Sequence, residues 1–498
     1  MQSLARRLEN GGALTCAGVS QAAQPFFAAL LRKISPRRPI VIVTDNLKTQ
    51  ESFQQDIETW LSFESAVHSP QPLVVEASSS ILHPLARRSA AKTAPSSPFF
   101  YPAWDVLPHE GKLPHADTIS DRLQTLVQLS ELSTLNPTAR RSGAQAAQPS
   151  TMVVTSVTAL LQKTFPPGEI QKRTRTLARG DKINPLDLIE WLEAQGCEPE
   201  AQVTQKGEIA LRGGILDVWP LTSPWPVRLE FFGDELESLR HFDPFTQISR
   251  EEIVSVTLPP AGELGLLKRE AERGVYAAST HTEQAATELS SPRNNLAAKR
   301  SQGRAPLATL LDYLPRETIF LLCEPEQLAT RADEYAQEIP DADPFFIGWT
   351  DFLIELNRRG FTSVKLADQE MDGTPASGTA QIAATDDQRA VPEAGAPIFT
   401  SLDAFRPLGE RAPDPQIAEA QRREFFNQLH RWLRQGHAVH VFCNNDGERQ
   451  RFKEIWNELG LGRESKDESR EPDSLPPSTL DPRPSTHLGS LARGFLCD

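Results

Sequence analysis

Short apolar runs that alternate with helix-patterned segments constrain the fold of this chain more than any other feature. ALTC (13–16) precedes PFFAALLRKI (25–34), PIVIVTD (39–45) precedes NLKTQESFQQDIETWL (46–61), and MVVTS (152–156) precedes VTALLQK (157–163). Strands alternating with helices belong to a parallel α/β sheet. PHADTISDRLQTLVQLSEL (114–132) enters a helix whose apolar side carries Leu123, Leu126, Val127 and Leu129. The longest apolar runs, such as PIVIV at 39–43, are strand-sized rather than membrane-sized, and the first 18 residues lack a signal-peptide core. A cytoplasmic location without a membrane partner is the expectation.

At 498 residues the chain is too long for one compact domain. Residues 1–164 read as the first part of the parallel-sheet domain, 165–260 as an inserted small α+β domain, and 261–360 as the return to the sheet. A linker at 367–397, low in apolar residues, leads to a third small α/β domain at 398–498 with a disordered insertion at 463–487. Further polar, weakly patterned stretches lie at 137–150 and 262–305. Forty prolines agree with extended linkers. In the third domain EFFNQLHRWLRQG places Phe425, Phe426, Leu429, Trp432 and Leu433 on one helical face that stops at Gly436. The strand AVHVFC and a helix carrying Phe452, Ile455, Trp456 and Leu459 follow it.

Charge and cysteine content remove several function classes. Lys and Arg number 52 against 66 Asp and Glu, a net charge of −14. The chain therefore lacks the basic footprint of a dedicated nucleic-acid binder, although a local patch can still touch DNA. Cys16, Cys197, Cys323, Cys443 and Cys497 are scattered, with neither a CxxC nor a Cys/His cluster. That pattern indicates no zinc site and no disulfide framework.

The place for a phosphate site is the first strand-to-helix turn, GVSQAAQPF from Gly18. A P-loop needs glycine, lysine and a hydroxyl residue where this chain has Ala23, Gln24 and Pro25. Without the lysine nothing offsets the β/γ-phosphate charge, and without the hydroxyl Mg²⁺ loses a ligand. The strand TIFLLCEPEQ has the shape that carries a metal-binding acidic pair, but Cys323 stands in the aspartate position ahead of Glu324. Both losses together describe an NTPase-shaped domain without hydrolysis. His83, His109 and His115 lie near Asp105 and Glu110, but their spacing fits no metal-binding helix, and Asp234–Glu235 beside Gly233 reads as turn chemistry.

The inserted domain carries the sharper signal. In RLEFFGDELESLRHFD, Leu229 and Phe231 share one strand face, while Arg228, Glu230 and Phe232 share the other. In GEIALRGGILDVWP, Ile209 and Leu211 share a face opposite Glu208, Ala210 and Arg212, and Gly213–Gly214 permit a bend. If these strands pair, Arg212, Arg228 and Phe232 form one patch on the polar side. Arg and aromatic residues dominate interface hot spots. On pattern alone Phe232 is equally well a strand-end side chain packed under its own loop.

The run GEIALRGGILDVWPLTSPWPVRLEFFGDELESLRHFDPFTQIS resembles the domain shared by bacterial transcription-repair coupling factors (Mfd) and the excision-repair helicase UvrB. YPAWDVLPHEGKLPHADTISDRLQTLVQL (101–129) and TSVTALLQK (155–163) are similar to the coupling factors. After Tyr101 the helicase carries a tyrosine-rich DNA-clamping hairpin, and this chain passes directly into DVLPHEGKLPHADT. The resemblance implies a UvrB-like, degenerate P-loop NTPase fold with no ATP or Mg²⁺ of its own. It also implies that the inserted domain binds UvrA, with Arg212, Arg228 and Phe232 at the positions of the family's contact residues, which turns Phe232 into a partner anchor. It places RNA polymerase and DNA with further domains, polymerase-binding and translocase, that have no counterpart up to Asp498. The expected function is UvrA recruitment in transcription-coupled excision repair, with no catalytic residues. Full-length ATP-dependent translocase activity and UvrB-like DNA binding are the alternatives.

Overall fold

The computed structural model describes residues 2–67, 97–142, 151–271, 307–368, 382–384, 399–403, 415–459 and 483–497. They divide into two compact units: Met1–Leu14, Ile34–Gln50 and Val75–Lys365 form the first, and Thr15–Lys33, Glu51–Val74 and Leu366–Asp498 the second.

In the first unit the strands Ile319–Cys323, Ile40–Thr44, Met152–Ser156 and Phe99–Tyr101 are successive neighbours in one sheet. Ile40 lies opposite both Ile319 and Met152, and Phe99 opposite Val153, all in parallel register. Every residue of Ile40–Thr44, Met152–Ser156 and Ile319–Cys323 is buried, as expected for a parallel sheet covered on both faces. The helix Ala116–Ser142 buries Leu123, Leu126, Val127 and Leu129 in a core with Val41, Tyr101 and Val153. It continues through 137–142, where a polar insertion is expected from composition; 143–150 lie outside the described residues. Among the described residues no helix is long and apolar enough to cross a membrane.

The same helix carries a residue that its apolar pattern does not reveal. Arg122 is fully buried and bonds both oxygens of Glu263 (Nε–Oε2 2.7 Å, Nη2–Oε1 3.1 Å). Trp104 Nε1–H and the Thr164 hydroxyl donate to the same carboxylate, and Arg122 also reaches Tyr101 Oη and the Pro102 carbonyl. Glu263 follows the strand Ser255–Leu258 in sequence, so this network ties the chain leaving that strand to the core that holds Tyr101 and Trp104.

The segment expected as an inserted domain begins with the short helix Pro167–Lys172 and the strand Arg175–Ala178, and its helix Pro185–Ala194 is capped by Asn184, whose side chain accepts from Leu186 N–H. Its sheet runs in the order Ser249–Glu252, Glu235–Phe242, Val227–Phe232, Ile215–Val218, Glu208–Arg212, Glu198–Pro199. The pairing is antiparallel except at Glu198–Pro199. Arg175–Ala178 and Ser255–Leu258 make a separate antiparallel pair. Leu188 and Leu192 of the helix pack with Ile209, Leu216, Val218, Val227, Leu229, Leu236 and Leu239, so one sheet face is the core. Residues 264–271 are helical, although 262–305 are expected to be weakly patterned; 272–305 lie outside the described residues.

In the second unit Phe426, Leu429, Trp432 and Leu433 of the helix Pro415–Arg434 pack with Trp456 of the helix Asp446–Glu458. Gly436, at φ +92°, supplies the left-handed residue that ends the first of these helices. His440–Cys443 pairs in parallel with Ser485–Leu488, which completes a βαβ unit. Residues 485–487 are therefore strand where disorder is expected over 463–487; 463–482 lie outside the described residues. Of the linker 367–397, positions 369–381 and 385–397 also lie outside them, and Ile382–Ala384 is a short strand. A second aromatic cluster joins Phe26, Trp60, Phe63, Phe442 and Phe495.

Candidate functional site

On the sheet face of the inserted domain opposite the helix, Ala210, Asp217, Arg228, Arg240 and Glu252 form one row across five strands. The next row holds Arg212, Ile215, Glu230 and Ser238. The Arg212 and Arg228 strands are not neighbours. Ile215–Val218 lies between them, and its Asp217 joins the two arginines. The Asp217 side chain is fully buried. It accepts from Arg228 Nε (2.7 Å) and Nη2 (2.8 Å) and from Arg212 Nη2 (2.9 Å). A buried carboxylate is costly unless ionic donors surround it, and three such bonds meet that need. Hydrogen bonding to Asp217 raises the Arg228 pKa above its ordinary value, against the opposing effect of burial.

The two arginines differ in what they offer a partner. Arg228 is 15% exposed, lies 4.5 Å over the Phe242 ring, and also donates to Gln247. Its guanidinium is committed inside the protein. Arg212 is 49% exposed and is engaged through Nη2 alone among the described residues. Phe232 is 77% exposed, at the end of the strand whose Val227 and Leu229 are buried. The alternation reading holds for this strand: Phe231 packs against the core and Phe232 leaves it. It fails in part on the neighbouring strand. Leu211 is 39% exposed at the strand end, and Ala210 is buried against Val203, Phe242 and Trp219. A second small apolar cluster thus covers part of the side that alternation assigns to polar residues.

Gly214 permits the close approach that brings these strands together. A Cβ there would stand 2.8 Å from the Phe231 carbonyl oxygen, and Phe231 N–H bonds the Gly214 carbonyl (2.8 Å). Beyond Phe242 the chain makes a closed turn. Asp243 Oδ1 accepts from Phe245 and Thr246 N–H, and Gln247 N–H returns to the Asp243 carbonyl. The Thr246 N–H leads the causes that hold the Asp243 carboxyl below its ordinary pKa.

The positions read as remnants of a nucleotide site fall in both units. In the second unit Gly18 has φ +75°, while the Val19 and Ser20 N–H groups already bond the Ala367 and Phe399 carbonyls. Ala23, Gln24 and Pro25 are buried, and Gln24 Nε2 folds back to the Val19 carbonyl (3.2 Å). These residues do not fit a phosphate cradle, whose donors must point at the ligand. In the first unit Cys323 is buried, and burial pushes its thiol pKa well above the ordinary value. Glu324 starts the helix Pro325–Glu338 from a left-handed backbone, φ 54°. His115 N–H donates to Asp105 Oδ1 (3.0 Å), and His83 lies outside the described residues.

Residues 176–264 match the family described as the UvrB interaction domain. This module is a UvrB interaction domain. Around it, the chain is 30% identical to the transcription-repair-coupling factor of Haemophilus influenzae over 251 residues, covering 48% of this chain and 20% of that protein. It is 35% identical to the coupling factor of Mycobacterium bovis over 248 residues, 46% of this chain and 19% of the relative. The UvrABC system protein B of Pseudothermotoga lettingae is 29% identical over 153 residues, 30% of this chain and 23% of that protein. The match therefore spans about a fifth of the length of these relatives, and the chain resembles the N-terminal region of the coupling factors.

Sequence reasoning overlooks Asp217 and Gln247. Asp217 was legible in principle: an acidic residue inside the run GGILDV must be buried with cations or expelled, and two arginines stand on nearby strands. Gln247 gave no such signal, since its role depends on φ 60° in a turn.

Proposed function

We propose that this chain recruits UvrA through the sheet face of its UvrB interaction domain that carries Arg212, Arg228 and Phe232. In this reading it serves as the UvrA-binding part of a transcription-repair coupling factor, in transcription-coupled nucleotide excision repair in the cytoplasm. The observation that carries the proposal is Phe232, 77% exposed at the end of the strand whose Arg228 is joined to Arg212 through one buried aspartate. A ring held at a strand end with no apolar cover stabilises the folded monomer little. Covered by a partner, it contributes roughly 1.5–3 kcal/mol of burial. Two guanidinium groups share the single Asp217 carboxylate, a positive excess confined to that cluster, since Arg240, Glu230 and Glu252 leave the two rows of the face without net charge. That excess suits a carboxylate on the partner.

The roles of the two arginines follow from their exposure. Arg212 offers its outer nitrogens to an acidic side chain of UvrA, while Arg228 holds Asp217 and Gln247 in place. Recruitment needs no nucleotide bound to this chain, a reading supported by the engaged Val19 and Ser20 N–H groups. Contact with RNA polymerase and DNA belongs to other parts of a coupling factor. Sedimentation velocity of the chain mixed with purified UvrA tests the proposal. A faster-sedimenting complex that Phe232→Ala dissolves supports it, and no complex with the folded wild-type chain contradicts it.

A further inference from the structure

The turn that follows the strand Glu235–Phe242 exposes two large apolar side chains, Phe245 at 91% and Ile248 at 67%. Solvent-exposed turns ordinarily take polar residues, and nothing in the turn's own geometry calls for a ring. Among the described residues the Phe245 ring pairs with no other ring and is almost wholly exposed, while its backbone N–H bonds Asp243 Oδ1 at 3.0 Å. The turn is nonetheless rigidly closed. Asp243 N–H bonds the Ile248 carbonyl (2.9 Å), Gln247 N–H bonds the Asp243 carbonyl (2.8 Å), and Arg250 pairs with Asp243 Oδ2 (3.0 Å).

Gln247 ties this turn to the arginine pair. It holds a left-handed backbone, φ 60°, a conformation that favours glycine, yet a glutamine stands there. Its side-chain oxygen accepts from Arg228 Nη2 (3.2 Å) and, at longer range, Arg212 Nη2 (3.5 Å), while its own Nε2 donates to the Pro244 carbonyl (2.8 Å). Arg228 Nη1 also reaches the Gln247 carbonyl (3.4 Å). Glycine would relieve the backbone and lose every side-chain link. The turn is thus continuous with the face that carries Arg212, and it is ordered before any partner arrives. Pre-ordering removes a cost that a mobile loop would add to association.

We infer that the turn Asp243–Ile248 is a second contact of the UvrA-docking surface, with Phe245 as its anchor and Ile248 beside it. The inference rests on the recruitment reading and extends it. UvrA is the occupant because the turn is bonded to the arginines assigned to that partner, so any molecule pairing Arg212 meets the turn as well. The matching UvrA surface then holds a carboxylate for Arg212 and an apolar recess for Phe245, apart from the one that takes Phe232.

Calorimetric titration of the whole chain with UvrA decides the matter, using wild type, Phe245→Ala, Phe245→Leu and Arg212→Ala. Covering an aromatic anchor is expected to make Phe245→Ala roughly 10-fold weaker, with Phe245→Leu in between. Both substitutions lie on an exposed side chain, so thermal midpoints matching wild type establish that folding is intact. Phe245→Ala within 2-fold of wild type while Arg212→Ala is weakened about 10-fold overturns this inference and leaves the recruitment face standing. Wild-type affinity in both variants overturns the recruitment face and the turn together.

Discussion

Removing the Asp217 carboxylate should unfasten the whole face. Asp217→Ala deletes three charge-assisted hydrogen bonds and leaves the Arg228 guanidinium, 15% exposed, without its bonded counter-charge, with only the weaker pull of Glu230 remaining. Breaking a fully buried pair from one side costs about 3–5 kcal/mol. Arg228 retains Gln247 and the Phe242 ring and reaches solvent in part, so the low end, about 3 kcal/mol, applies here. Arg212→Ala, by contrast, removes one ion-paired bond and a long contact to Gln247 from a half-exposed side chain and should cost less than about 1 kcal/mol. Native-state hydrogen exchange at the amides of Val227–Phe232 reads the opening free energy of this sheet. A loss of about 3 kcal/mol corresponds to exchange roughly 100-fold faster in Asp217→Ala. The doubly substituted Asp217→Leu/Arg228→Leu should recover part of the loss, since it leaves no orphaned charge. A change below about 0.5 kcal/mol in Asp217→Ala would refute the reasoning, because the carboxylate would then behave as one half of a surface pair.

The remaining predictions concern the supports of this face. Arg122→Met leaves Glu263 buried without its cation and should lower stability by about 3–5 kcal/mol in chemical denaturation; Arg122→Met/Glu263→Leu should lose less. In the second unit Asp56 is raised from 3.8 to about 7, chiefly by burial, against the Ala492 N–H bond and the Arg493 charge. Its folded pKa lies above its unfolded one, so this contribution is complete below about pH 4 and disappears as pH rises through about 7. The loss is at most about 4 kcal/mol, and Asp56→Asn should flatten the fall in thermal midpoint across that window. ATP with Mg²⁺ should leave the thermal midpoint of the chain unmoved; a concentration-dependent rise would reopen the turn at Gly18 as a nucleotide site.

The parallel sheet was legible because its strands are apolar at consecutive positions and bounded by helical patterns. Val41, Ile42 and Val153 have no polar face to misassign, and burial on both sides is what their sequence describes. Phe232 was legible for a related reason: Val227, Leu229 and Phe231 keep a strict period of two, which leaves Phe232 on the other side. Period-two reading broke at Ala210 because the sheet face turned from the helix is itself partly covered, by Phe242, Val203 and Trp219, and at Leu211 because it stands at the exposed end of its strand. Strand order was not legible either. That Ile215–Val218 separates Arg212 from Arg228 is a matter of pairing, which composition does not encode. Arg122 and Glu263, 141 positions apart, satisfy each other only in three dimensions, and neither stands out in the sequence as a buried charge.

The most direct test of UvrA recruitment is a calorimetric titration of the folded chain with purified UvrA, comparing wild type, Arg212→Ala/Phe232→Ala and Leu186→Ala. Leu186 is 61% exposed on the helix that covers the opposite sheet face, so it controls for generic loss of apolar surface. The account predicts binding by wild type and Leu186→Ala and none that is measurable by the double variant. Equal binding by all three chains, or loss through Leu186→Ala alone, would contradict it.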